Sequence, residues 1–139
     1  MKVLTKNLRL FAILILIHTS LFRFGLSSML EAEKYGGVIL ISITYSLLMA
    51  LTGWLTGRRD GKDSFLFDAG FRWHFTTYLV WGMVSEAWFL LGYNAAGEKI
   101  WQVHTTLLIW GCFLLIHLII FLVLRKKTIK GVHKADIFE

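Results

Sequence analysis

The chain has no proline, one cysteine and few charges: 17% of its 139 residues are charged, nine of them acidic against fifteen Lys and Arg. Each scarcity excludes something. Transporters with broken helices often interrupt paired segments with Pro or Gly to expose backbone to a substrate, so a chain without proline favours continuous helices. A single cysteine, Cys112, permits neither an intramolecular disulfide nor a CxxC-type metal or redox site, and inside an apolar run it is expected to pack in the core. No P-loop, GxGxxG, HExxH or GxSxG pattern occurs, and every acid except Glu86 falls in a connection or the tail. Enzymatic turnover therefore has no support in the sequence.

What is abundant is apolar surface. Hydrophobic residues make up 56% and aromatics 15%, far above an ordinary soluble domain. The charges cluster at 1–9, 31–34, 58–72, 98–99 and 125–139 and leave four apolar runs between them: about 10–30, 35–57, 73–93 and 101–124. Each reaches the roughly 20 residues needed to cross about 30 Å of hydrocarbon. The expected fold is all-α: one four-transmembrane-helix bundle followed by a basic tail, 125–139. Lys2, Lys6 and Arg9 ahead of LFAILILI have the layout of a secretory signal, but no A-x-A-like site follows, so this run is expected to be retained as the first span.

Twelve of the fifteen basic residues lie in the N-terminal stretch, the 58–72 connection and the tail, leaving only Arg23, Lys34 and Lys99 elsewhere. The positive-inside rule then puts both termini and the middle connection in the cytoplasm of a cell whose inner membrane holds the protein. The net charge of +6 matches basic loops beside anionic headgroups and calls for no nucleic acid. Expected partners are the lipid bilayer and either further copies of the chain or another membrane protein.

Glu86 stands in the middle of VWGMVSEAWFLLGYN, where an ionised side chain costs about 2.5–3.5 kcal/mol on insertion scales. It lies 14 residues past Arg72, and Arg23 lies 14 past Arg9, so both sit roughly 21 Å from the inner interface. The expectation is an intramembrane Arg23–Glu86 pair, either structural or part of an ion or small-molecule conduit. His18 and His117 are level with one another by the same count, about 12–14 Å deep. Two imidazoles at one depth are candidate axial ligands for a b-type haem, with His74 a further candidate; the plainer reading is hydrogen bonding of His18 to Thr19, Ser20 or Ser46. On that plainer reading no cofactor is expected. His104 beside Trp101 fits an outer interfacial belt.

In the second run Ser42, Ser46, Met49, Gly53 and Thr56 share one face, and Gly53 with Gly57 forms a GxxxG step, which marks a helix-packing stripe. In the second half Phe71, His74 and Tyr78, then Asn94, then Trp101, Trp110, Gly111, His117 and Phe121 are spaced through two spans. In this pattern residues 70–124 resemble the two-transmembrane-segment (2TM) domain of small bacterial membrane proteins, also found fused to some sensor histidine kinases. The resemblance implies a membrane-embedded module without established chemistry. The expected function is a non-enzymatic module, sensory or pore-forming, that works by self-association or by binding a membrane partner. Electron transfer through haem and ion conduction are the alternatives.

Overall fold

A computed structural model describes residues 5–60 and 66–131. They form four helices and no strand: α1 (Lys6–Glu31), α2 (Tyr35–Asp60), α3 (Leu66–Leu90) and α4 (Ile100–Gly131). The elements are those expected, most with longer ends, although α3 stops at Leu90 rather than near 93. Helix α3 starts before Trp73 and α4 runs past Leu124, because a helix need not stop where the apolar run stops when no Pro or Gly breaks it. The tail beyond Gly131, with His133, and Lys2 and Lys62 lie outside the described residues.

Three helices, α1, α2 and α4, are long and apolar enough to cross a membrane; α3 is not among them. Three of the four expected spans thus meet this criterion by length and composition. Trp, Tyr, His74, Thr76, Thr77 and Glu86 dilute the hydropathy of α3, and packing explains how it carries them. Helix α1 packs on α2 and α3, and α4 packs on α3 alone, so the lateral order is α2, α1, α3, α4. Among the described residues α4 touches neither α1 nor α2, and α2 meets α3 only sparsely. Helix α3 thus has neighbours on two sides and can hold polar and aromatic groups against them.

Helix α1 is the spine. Its buried residues Leu8, Phe11, Ile15, Thr19, Arg23 and Ser27 recur every three or four positions and form one stripe along the helix. Leu8, Phe11 and Ile15 make the hydrophobic cluster, with Met49 of α2 and Trp73 and Val80 of α3 against it. Further along, Thr19 and the Tyr45 hydroxyl hydrogen-bond at 3.1 Å and the Phe22 and Tyr45 rings stack at 4.4 Å. Small and polar contacts of this kind join helices where no water is present to drive them together.

Hydrogen bonds close the start of α1 and the α1–α2 and α3–α4 connections. The Thr5 hydroxyl caps α1 by accepting from the Leu8 N–H at 3.1 Å. At the other end, Lys34 N–H bonds to Met29 C=O and Glu33 N–H to Leu30 C=O, a Schellman closure that puts Glu33 at φ 55°. Helix α3 closes in the same way through Tyr93 N–H to Trp88 C=O and Gly92 N–H to Phe89 C=O, with Gly92 at φ 73°. Glycine takes that left-handed conformation without strain; Glu33 does not.

Candidate functional site

Two polar centres and one cavity system stand out. The first centre is built around Arg23, two turns before the end of α1. Its Nη1 lies 3.1 Å from Glu98 Oε1, and both side chains are buried, at 5% and 7% exposure. Glu98 Oε2 accepts from Ser27 Oγ at 2.8 Å and from the Ala95 N–H at 2.9 Å. Ser27 Oγ accepts in turn from Trp88 Nε1 at 3.0 Å, and the same indole N–H reaches the Tyr93 carbonyl at 2.9 Å. The guanidinium sits over the Phe89 ring, 5.5 Å from its centroid. One carboxylate thus ties α1, α3 and the α3–α4 connection together, and its charge meets the guanidinium with no water between them.

The expected Arg23–Glu86 pair is corrected. Glu86 bonds His104 of α4 instead, Oε1 to Nε2 at 2.9 Å, with side chains 39% and 58% exposed. The two side chains take different partners. Glu86 continues the face of α3 on which Tyr78 lies against Gly111 and Gly82 against Leu107, so it points to α4. Arg23 is engaged instead at the C-terminal turn of α3, where Phe89 lies against its guanidinium and Trp88 bonds Ser27, and by Glu98 in the connection beyond it. Glu86→Gln keeps an oxygen that can accept from His104, so it is expected to change stability by only about 1 kcal/mol. Thermal unfolding in detergent checks this, and a loss several times larger would give Glu86 a second, buried partner.

Glu98 is the residue that sequence reasoning passed over, because it was counted as a loop acid. A short connection leaves little room for a charge to stay in solvent when both neighbouring helices end in aromatic residues, and Trp88, Phe89 and Tyr93 supply that signal.

The histidines are arranged differently from the expectation. His117 of α4 faces His74 of α3, with ring centroids 5.5 Å apart, and Phe71 at 5.8 Å. His18 is on α1, which does not touch α4, so the structure pairs His117 with His74 rather than His18. The hydrogen bonds foreseen for His18 are used elsewhere: Ser20 and Ser46 bond the carbonyls of Leu16 and Ser42 on their own helices, and Thr19 bonds Tyr45. His18 Nδ1 is buried without a partner. No group of three or more His, Cys, Asp or Glu side chains converges among the described residues.

Cys112 is exposed on α4, not packed in the core, because α4 has a neighbour on one side only. The small-residue stripe also has a different role at its inner end. A Cβ on Gly53 would meet only the Phe11 ring, at 3.8 Å, and one on Gly57 only the Trp73 ring, at 3.9 Å. Neither glycine brings helix backbones together. They border a cavity of about 500 Å³ between α1, α2 and α3, whose lining also includes Phe11, Met49, Trp73 and His74. Toward the other end of the stripe, Ser42 is half-buried and bonds the Val38 carbonyl, while Ser46 is exposed. A second cavity of about 300 Å³ lies between α3 and α4, and His74 and His117 both line it.

No family model, curated protein or solved structure matches this chain.

Proposed function

We propose that the chain is a four-span module of a bacterial inner membrane, with both termini and the basic α2–α3 connection in the cytoplasm, acting without turnover by associating with itself or with another membrane protein. One observation carries the reading. The charged side chains deep in the helices, Arg23 and Glu86, are both engaged in joining one element to the next, by way of Glu98 and His104. Neither lines either of the two cavities described above.

The two ends of the helix row support the association. Helices α2 and α4 each use one face within the chain and leave large apolar side chains open, Leu40, Leu47 and Trp54 on α2 and Leu108, Phe113 and Leu115 on α4. In a bilayer either lipid or another helix covers such a face. The resemblance of residues 70–124 to the two-transmembrane-segment domain agrees with an embedded module and adds no chemistry.

One experiment tests both parts. Two differently tagged copies, each fused to a fluorescent protein at one terminus, are co-expressed. Fluorescence from fusions at either end is expected, because the fluorophore matures in the cytoplasm, together with co-purification of the two tags or of one constant membrane partner. A dark fusion at either end refutes the topology, and a lone monomer without partner refutes the association.

A further inference from the structure

The groove between α2 and α3 is shaped as a lipid site. The two helices contact each other only sparsely, so the space between them is floored by Phe11 of α1 and walled by Trp54 and Trp73. Its volume of about 500 Å³ lies within the roughly 300–1,000 Å³ of small-molecule sites. Gly53 and Gly57 keep it open: a Cβ on either would project toward the Phe11 and Trp73 rings that line it, at 3.8 and 3.9 Å. A groove that is mainly apolar, with His74 and Thr77 the polar residues of its lining, and that lies between two helices in sparse contact fits an extended hydrocarbon chain.

Charge selects what that chain belongs to. The Arg58 guanidinium lies over the Trp54 ring at 4.7 Å from its centroid, and Trp54 lines the groove. Arg58 is exposed and stands at the end of α2 that leads into the basic connection. Stacking on the indole holds the cation beside the groove while leaving the guanidinium edge available to a phosphate oxygen. In the proposed orientation this end faces the cytoplasmic leaflet, where the anionic lipids lie.

We propose that this groove binds one acyl chain of an anionic phospholipid, with the headgroup phosphate beside Arg58. The proposal rests on the membrane placement above and goes beyond it, since an embedded module needs no lipid-specific site. A bound acyl chain would cover the sparse α2–α3 contact and hold the two helices at one separation.

The test uses full-length protein, delipidated in neutral detergent and given phosphatidylglycerol or phosphatidylcholine with identical chains, with bound lipid counted by native mass spectrometry. Wild type is expected to prefer phosphatidylglycerol about fivefold, the equivalent of about 1 kcal/mol for one basic side chain near an anionic headgroup. Arg58→Gln should abolish the preference while still binding both lipids. Gly53→Leu should fill the groove and lose both, and Ala50→Phe, from the exposed rim of the same groove, provides a second block should Gly53→Leu misfold. Circular dichroism confirms that helix content is retained. Equal uptake of the two lipids by wild type, or full phosphatidylglycerol binding by folded Gly53→Leu or Ala50→Phe, overturns the site. Extraction of wild type from membranes by alkaline carbonate would instead overturn the membrane placement, so the two failures are distinguishable.

Discussion

Glu98→Ala is expected to destabilise the fold by about 3–5 kcal/mol, the range for breaking one side of a buried ion pair. The substitution leaves the Arg23 cation buried without a counter-charge, and it also removes the acceptor of Ser27 Oγ and the Ala95 N–H. Arg23 Nε and Nη2 already lack partners in the buried site, so the guanidinium has no alternative acceptor to turn to. Glu98→Gln should lose less, because an amide oxygen still accepts. Arg23→Met leaves a carboxylate that escapes its burial by protonating or by swinging out with its loop, and is expected to fall between the two. The double variant Arg23→Met/Glu98→Met should recover most of the loss, since buried pairs replaced by apolar groups of similar size are often neutral. Denaturant titration in micelles of wild type, Arg23→Met, Glu98→Met and the double variant gives the coupling energy, and simple additivity would mean that the pair is not coupled in solution.

Phe11→Ala should lose about 2 kcal/mol. Phe→Ala in a water-soluble core loses roughly 3–5 kcal/mol through lost transfer and the cavity left behind. Where lipid replaces water as the surroundings of the separated helices, the transfer part largely vanishes and the packing part remains. Phe11 is 3% exposed, and its ring stands 4.1 Å from that of Trp73, between centroids. It is also the floor of the α2–α3 groove, so removing it merges the cavity with the core cluster of Leu8 and Ile15. The same titration measures it, with Leu10→Ala, exposed on the other face of α1, as the comparison that should change little. Equal effects at both positions would mean that α1 does not pack through its Leu8–Ser27 stripe.

Position along a helix and the neighbour that a helix face meets are separate properties. Counting 1.5 Å per residue placed Arg23 and Glu86 at one depth, but depth says nothing about which neighbour a helix face meets. Glu86 shares its face with Tyr78 and Gly82 and therefore meets α4. His18 and His117 failed as a pair for the related reason that α3 intervenes between their helices. Gly53 and Gly57 looked like a close helix contact because GxxxG in an apolar run often is one, whereas here the opposing surface is two aromatic rings rather than a helix backbone.

Composition and the spacing of charges were enough to determine four helices, their approximate limits, and the apolar length of three of them. Those properties depend on neighbours along the chain: in a bilayer, about 20 apolar residues between charges, with no proline, must close their backbone hydrogen bonds within the segment, and a helix does so. The lateral order α2, α1, α3, α4, the Arg23–Glu98 lock and the groove floored by Phe11 were decided only by tertiary structure. Each depends on which faces of separate helices meet, and several pairings of four apolar helices satisfy the same sequence pattern. Glu98 shows the difference most clearly. Its position beside a span was visible, but its burial follows from the chain turning at Gly92 and Ala95 and lowering the carboxylate onto a guanidinium 75 positions earlier.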